Sequence, residues 1–486
     1  MMLLFAVQAL YVGNSVCAPC HAGIFSTYRT TPMARSSGVV SGTVPEGSFR
    51  HASSETEYQT DRSGAVRVST RSRTTERKLD YFIGSGATGQ SFLYSENGFL
   101  FQAPITWYSQ QTRWDVSPGY ESDTVSRWSR AIDPDCLNCH SSQVRSAEGF
   151  QNLYAKPPFA QAGIGCERCH GPGSEHVKGR ARMINPARLD AARRDAVCAQ
   201  CHMSGEARVD RAGMRFKDYR PGALLSEYVA YFVYQSAPAL KATNYVEKLA
   251  ASRCRLVSGD RLWCGTCHQP HRVPAAEERV AWFRERCLGC HQSKECARGP
   301  DCASCHMPSQ RVIGGGHGML TDHSIPRVPS TGLPASADLW RLQGFSTADR
   351  GSRELGLAYA EVAARTGDAR QAAEALRLLS SAPQDAEVQV RLADLYRRRN
   401  QLNLALPLYQ SVLRKEPGSM VALVNLGNYY GAVGKLDEAI TFWREAMKRN
   451  PCAAEAAENL KTVYRAQGKV EELNALVKGQ ARCVIE

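Results

Sequence analysis

The chain has 486 residues, of which 43% are hydrophobic and 22% charged, a composition that excludes a mainly disordered protein. The sequence contains no run of 18 apolar residues, so no membrane-spanning helix is predicted. The 60 Lys and Arg outnumber the 47 Asp and Glu, giving a net charge of +13. Such a charge, taken alone, would favour a nucleic-acid or other anionic partner.

The first ten residues contain a short apolar stretch and a Val7-x-Ala9 sequence without a basic segment before it. We interpret residues 1–10 as a truncated export signal. After residues 11–16 comes Cys17-x-x-Cys20-His21, a Cys-x-x-Cys-His motif that occurs seven times in the chain and uses 14 of its 18 cysteines. Residues 11–323 hold all seven copies and form the first predicted domain.

This motif is typical of covalent c-type haem, because two thiols separated by two residues can reach one porphyrin edge and the next His can bind the iron. Zinc is the first alternative, but zinc needs four ligands and does not require a His after every pair. A disulfide scaffold is the second, and it does not require the His either. We therefore predict seven haem c groups, held by Cys17, Cys20, Cys136, Cys139, Cys166, Cys169, Cys198, Cys201, Cys264, Cys267, Cys287, Cys290, Cys302 and Cys305, with His21, His140, His170, His202, His268, His291 and His306 as proximal ligands.

Two propionates on each haem would offset most of the positive charge, so we predict no nucleic-acid partner. Covalent haem attachment is extracytoplasmic chemistry in bacteria, which predicts a periplasmic, extracellular or cell-surface protein.

Residues 45–130 contain no cysteine and are predicted to form a β-rich insertion. Alternating apolar residues around Val66 and Val68, and again from Leu79 to Ile83, indicate strands. Asn97-Gly98 lies between two further apolar runs and predicts a hairpin turn. Residues 84–89 match Gly-x-Gly-x-x-Gly, but a strand rather than a helix is expected next, so a glycine turn is favoured over a nucleotide site.

Residues 131–323 hold the other six motifs, and we expect short helices joined by loops around the porphyrins. Five histidines remain as candidates for the sixth position of the irons: His51, His176, His271, His317 and His323. Five candidates cannot serve seven irons, so at least two irons must take Met, water, another group or nothing. Met33, Met183, Met214 and Met319 are the methionine candidates. His176 and His271 follow proximal histidines too closely to reach the far face of the same haem, so each should serve a different haem.

The segments CERCHGPGSEHV, CGTCHQPH and CASCHMPS with TDHSIPR resemble multihaem cytochromes related to the tetrahaem cytochrome c of nitrifiers and to the nitrite reductase and hydroxylamine oxidoreductase superfamily. The resemblance covers about residues 11–330. It implies that His176, His271 and His323 are distal ligands. The chain lacks the Cys-x-x-Cys-Lys motif and the tyrosine cross-link signature of the catalytic members.

Residues 324–350 are predicted to be a linker, with Pro326, Pro329 and Pro334. Beyond it, residues 351–486 show a 34-residue period: Leu392, Tyr396, Tyr409 and Pro417 recur as Leu426, Tyr430, Trp443 and Pro451. This pattern resembles the tetratricopeptide repeat, an α-solenoid of helix pairs. Such a stack is either a stabilising cap on the haem domain or a docking surface, and we favour docking.

Cys452 and Cys483 would pair to staple the last repeat, and Cys254–Cys296 is a weaker candidate pair.

The predicted fold is mainly α: a haem-packed cytochrome domain with a small antiparallel β insertion, followed by the α-solenoid. The predicted function is electron transfer along seven haems, with a redox partner docked on the repeats. The alternative is an oxidoreductase that acts on a small nitrogen oxyanion or similar molecule at a haem without a sixth protein ligand.

Overall fold

The computed structural model of the protein describes residues 10–42, 44–235, 241, 243–291, 299–311, 316–327, 340–349 and 351–485. Helix accounts for 42% of the structure and strand for 20%, so the prediction of a mainly α fold is wrong in its proportions. The reason is that strands form in the haem-motif region as well as in the predicted β insertion. Within the described ranges, no helix combines the length and apolarity needed to cross a membrane.

The described residues divide into two compact units. The first contains the residues up to Ser36, together with 139–142 and 161–349. The second contains 37–138, 143–160 and 351–485. The β-rich segment therefore belongs to the same unit as the C-terminal helices. Of the haem-motif residues, Cys136 alone lies in the second unit.

Short helices and turns dominate the first unit, as expected for the haem-motif region. The α-helices are Asn14–Cys17, Ala22–Tyr28, Glu167–His170, Ser174–Val177, Ala191–His202, Tyr245–Ala251, Arg253–Ser258, Cys264–Cys267, Arg279–Leu288 and Cys302–His306, and the 3₁₀ turns are Pro186–Arg188, Phe216–Asp218, Leu225–Glu227, Gly259–Arg261 and Ala276–Glu278. A three-stranded antiparallel sheet has the order Ala207–Asp210, Val229–Tyr234, Leu342–Gly344, and a hairpin joins Ser309–Arg311 to Met319–Thr321.

The two largest antiparallel sheets among the described residues lie in the second unit. The larger has the strand order Ser37–Val39, Tyr81–Ile83, Gln90–Glu96, Phe99–Tyr108, Arg113–Val116, and the smaller has the order Gly47–His51, Thr56–Thr60, Ala65–Ser69, Thr74–Lys78. Helix Pro134–Asn138 and a strand pair, Ser142–Ser146 with Tyr154–Gln161, follow in the chain.

The turn predictions in this segment are confirmed. Asn97 and Gly98 both have positive φ, 51° and 84°, and connect strands Gln90–Glu96 and Phe99–Tyr108. The glycine motif lies between two strands, and a Cβ added to Gly84 would lie 2.6 Å from the carbonyl oxygen of Gly89. Glycine is needed there for a tight turn, and no helix follows that could bind a dinucleotide.

The last residues of the chain complete the core of this β-rich segment. Strand Val484–Ile485 pairs with Ser126–Arg127, and the amide of Trp128 donates a hydrogen bond to the Cys483 carbonyl at 2.7 Å. Ile485 is fully buried in the same cluster as Trp128. A disulfide joins Cys452 to Cys483, which confirms that predicted pair. The other candidate pair includes Cys296, which lies outside the described residues.

Eight helices follow in four consecutive pairs: Ser352–Thr366 with Ala369–Ser380, Ala386–Arg398 with Leu402–Lys415, Met420–Ala432 with Leu436–Arg449, and Ala454–Ala466 with Val470–Gln480. Their starts recur every 34 residues from Ser352 through Ala386 and Met420 to Ala454. Buried residues such as Leu392, Leu426 and Trp443 hold the pairs together. The structure therefore has the helical periodicity that the sequence predicted.

Candidate haem-binding site

Each Cys-x-x-Cys-His segment forms a helical turn or the end of a helix. The amide of His21 donates a hydrogen bond to the carbonyl of Cys17 at 3.0 Å, and His170 makes the same bond to Cys166 at 3.0 Å. Because residues three apart lie on one face of a helix, this turn places both thiols of a motif on the same side. Asp190 and Asp301 cap helices Ala191–His202 and Cys302–His306, the fourth and seventh motif helices, by accepting backbone hydrogen bonds.

The motif cysteines are not joined in disulfides in the structure. Across the residues that the structure describes, no group of three or more metal-ligating side chains has the arrangement of a metal site.

Three pairs of histidine rings face each other. The ring centres of His21 and His176 are 6.3 Å apart with planes at 23°; those of His170 and His271 are 5.8 Å apart at 15°. The third pair, His268 and His323, is 6.1 Å apart at 26°. In every pair, a proximal histidine of one motif meets a histidine from a distant part of the chain.

This spacing fits two imidazoles on opposite sides of one iron. A metal–imidazole bond of about 2.0 Å, with the nitrogen about 1.1 Å from the ring centre, places two such centres about 6.2 Å apart. The three observed distances, 6.3, 5.8 and 6.1 Å, lie close to that value. The residues present therefore fit a haem at these three motifs.

Backbone carbonyls fix the orientation of several of these rings. The Nδ1 atoms of His170, His176, His306 and His323 lie 2.7, 3.1, 3.0 and 3.0 Å from the carbonyl oxygens of Ile184, Ala181, Pro326 and Thr321. A carbonyl can only accept, so Nδ1 carries the proton and Nε2 keeps its lone pair. This is the tautomer that an imidazole needs to bind a metal through Nε2.

Desolvation keeps several imidazoles neutral. It lowers the pKa of His140, His202 and His323. The nearby His202 adds to the lowering at His140, and His323 adds to the lowering at His202. Only a neutral imidazole offers its lone pair to iron, so these rings are in the ligating state at neutral pH.

The remaining sequence-predicted ligands lie in other surroundings. His51 is 9% exposed in the β-rich segment, with Nδ1 2.8 Å from the Ser54 hydroxyl and Nε2 3.1 Å from the Glu121 carbonyl. Both nitrogens are used, so the structure does not support the prediction that His51 is an iron ligand. His317 is half-buried in the loop before strand Met319–Thr321.

Two tyrosines that sequence reasoning missed contact the paired histidines. Tyr28 approaches His271 edge-on at 6.1 Å and donates a hydrogen bond to the Ile164 carbonyl at 2.7 Å. The ring centre of Tyr245 lies 4.7 Å from that of His323 and 5.8 Å from that of His202. The planes of the Tyr245 and His202 rings are tilted by 47°. No motif marks either tyrosine, because both act through contacts between segments distant in sequence.

Charge and apolar surface in the first unit also fit haem. The segments 1–36, 139–142 and 161–349 contain 28 of the basic and 18 of the acidic residues, a net charge of +10 out of the chain's +13. Anionic propionates would balance this excess. Val16, Ile24 and Val177, which lie beside Cys17, His21 and His176 in the sequence, are 45%, 50% and 51% exposed. A porphyrin at the first motif would cover apolar surface of this kind.

Comparison with known proteins points to the same cofactor. The family of cytochrome c554 and c-prime matches residues 109–171. The multiheme cytochrome MtrA of Shewanella baltica (strain OS185) is 28% identical over 186 residues, which cover 34% of this chain and 53% of MtrA. The C-type polyheme cytochrome OmcB of Geobacter sulfurreducens (strain DL-1 / KN400) is 28% identical over 156 residues, or 28% of this chain and 20% of OmcB.

The match thus spans about half of MtrA and a fifth of OmcB. Among solved structures, the outer cell wall cytochrome OcwA aligns over 90% of this chain and 99% of its own, with 14% identity and a TM-score of 0.43. The sequence matches and the repeated haem-attachment motif agree: this chain is similar to multihaem c-type cytochromes.

Proposed function

We propose that the protein binds seven haem c groups, one at each Cys-x-x-Cys-His motif, and carries electrons along them. Bound haem supplies reversible one-electron iron chemistry. The chain holds each porphyrin through two thioethers, orients the axial imidazoles and limits the access of water. The matching relatives, named as multiheme and polyheme cytochromes, support this proposal.

The observation that carries the proposal is the set of three histidine pairs, whose ring centres are separated by the distance expected for two ligands of one iron. His176 would be the second axial ligand for the haem of His21, His271 for that of His170, and His323 for that of His268. Haem held at these motifs by two imidazoles would supply one-electron transfer at low potential, with no iron position left for a substrate.

Mass spectrometry of the exported, purified protein tests the haem count, since each thioether-bound haem adds a fixed mass to the chain. We expect seven additions and iron in the same ratio. Fewer additions, or zinc in place of iron, would contradict the proposal. Electron paramagnetic resonance (EPR) during a redox titration should show low-spin signals from the three bis-histidine sites.

One observation favours a second candidate function. The ring beside His202 belongs to Tyr245 and its plane is tilted by 47°, unlike the nearly parallel imidazoles of the three pairs. A haem there without a sixth protein ligand could serve an oxidoreductase acting on a small nitrogen oxyanion. High-spin iron that binds cyanide or nitrite would support this alternative, and purely low-spin iron would exclude it.

We further propose that the helix pairs are tetratricopeptide repeats that dock a redox partner, and that the protein works in the periplasm or at the cell surface. Deleting residues 351–486 would remove Cys483 and Ile485 from the β-rich core, so point variants are the better test. Leu404→Glu and Val421→Glu alter side chains that are 43% and 44% exposed. Slower reduction by a purified donor, with unchanged helix content, supports docking; unchanged rates for every such exposed-face variant contradict it.

A further inference from the structure

Thiols from different motifs meet in four places. Side-chain contacts join Cys17 to Cys166 and Cys139 to Cys201. Two more join Cys198 to Cys264 and Cys287 to Cys302. These contacts link the first motif to the third, the second to the fourth, the fourth to the fifth and the sixth to the seventh. Because each thiol marks an edge of its own porphyrin, motifs whose thiols touch must hold neighbouring haems.

Backbone contacts support two of these links independently. The amide of Cys166 donates a hydrogen bond to Asn14 Oδ1 at 2.9 Å, which holds the third motif against the helix that begins the first. The thiol of Cys139 lies 3.8 Å from the carbonyl of Gln200, a residue inside the fourth motif. The other two links have structural support as well: the Arg194 guanidinium, on the fourth-motif helix, lies 4.8 Å from the ring centre of Trp263, which precedes Cys264, and helices Arg279–Leu288 and Cys302–His306 of the sixth and seventh motifs contact each other.

Two further links connect these pairs into one array. Gln200 donates a hydrogen bond to the carbonyl of Arg168, inside the third motif, at 3.1 Å. Trp282, on the helix that leads into the sixth motif, donates to the carbonyl of Cys267 in the fifth at 3.3 Å. The third motif is thereby joined to the fourth, and the fifth to the sixth.

The array has a branch. The fourth motif, Cys198–His202, contacts the second, third and fifth, whereas the first and second motifs each have one neighbour among these links and the seventh touches the sixth. Among the fourteen motif cysteines, Cys20, Cys136 and Cys290 are exposed and the rest are partly covered. The exposed thiols belong to the first, second and sixth motifs, at or next to the ends of the array.

We propose that the seven haems form a three-ended electron path that branches at the haem of Cys198, Cys201 and His202. Its ends are the haem of the first motif, the haem of the second, and the pair formed by the sixth and seventh. This inference rests on the proposed haem at each motif. Each end is a port at which one redox partner exchanges electrons with the protein, so the chain can connect three partners.

Removing single haems tests the branch. The double variant C198S/C201S loses the fourth haem, and the matched control C302S/C305S loses the seventh. Midpoint potentials of the remaining haems are read by EPR-monitored titration, because a neighbouring charged haem shifts a potential and a distant one does not. We expect three remaining haems to shift in the first variant and one in the control. Equal numbers in the two variants, or two or fewer shifted haems in the first, would overturn the branch.

A measurement on the native holoprotein covers the case in which the first variant does not fold. Hydroxyl-radical footprinting reports the solvent access of each motif peptide. We expect peptides containing Cys20, Cys136 and Cys290 to react faster than those containing Cys169, Cys198 and Cys264. Comparable reaction at the inner motifs overturns the three-port arrangement. The haem count from mass spectrometry would be unaffected, so this failure is distinct from failure of the proposed function.

Discussion

Replacing His271 with alanine should open one iron and leave the others closed. His271 faces His170 at 5.8 Å with planes at 15°, so under the proposed ligand pairing the variant removes one imidazole from the haem of the third motif and nothing from the other two pairs. One iron in seven, about 14% of the total, should change from low spin to high spin. Tyr28, which touches the His271 ring, is hydrogen-bonded to the Ile164 carbonyl and is not free to replace it.

The assay is quantitative EPR at low temperature, followed by cyanide titration. Relative to the parent protein, the H271A variant should gain one high-spin iron and bind one additional cyanide per chain. His51→Ala is the matched control: both of its ring nitrogens are hydrogen-bonded within the β-rich segment, so its haem signals should equal those of the parent. The control should still lose about 1–2 kcal/mol of unfolding free energy, because two hydrogen bonds disappear. An H271A spectrum like the parent's, or a new high-spin signal in the control, would refute the ligand pairing.

Three further predictions concern stability. Cys452→Ser with Cys483→Ser opens a link of sequence separation 31 and should lower the free energy of unfolding of the second unit by about 3.7 kcal/mol in the chain-entropy account, measured by urea denaturation; a change below about 1 kcal/mol would contradict it. Ile485→Ala removes a fully buried side chain and should cost about 2–5 kcal/mol in the same assay, whereas Val477→Ala, at a position 46% exposed, should cost much less. Asp368 caps helix Ala369–Ser380, and its hydrogen bonds with Arg370 lower its pKa to about 2. The ionised Asp368 carboxylate contributes fully to stability above the unfolded pKa near 4, and this contribution is lost as the pH falls toward 2. The stability difference between the parent and D368A should therefore shrink over that pH range, as measured by thermal unfolding followed by circular dichroism.

Local patterns explain which parts of the fold were predictable. The Asn97-Gly98 turn depends on two residues that tolerate positive φ, and its hairpin formed where expected. The 34-residue spacing of the C-terminal helices is likewise a local repeat, because each pair packs mainly on its neighbours. In both cases the signal and the structure lie within a few dozen residues of each other.

Contacts between segments that are distant in the chain could not be predicted from the sequence. Nothing near Ile485 indicates that it fills a core more than 350 residues away, next to Trp128. The resemblance implied the distal role of His176, His271 and His323, but it did not say which proximal histidine each would face. His51 could not be separated from these three by sequence, because the hydrogen bonds that occupy its nitrogens come from Ser54 and from Glu121, 70 residues away.

The apolar side chains beside the first motif bear on how this protein must be produced. The side chains of Val16, Ile24 and Val177 are about half exposed. A cell that synthesises the polypeptide faster than it attaches haem would accumulate chains with exposed apolar surface, which aggregate or bind chaperones. Heterologous yield should therefore follow the capacity for haem attachment more closely than the strength of the promoter.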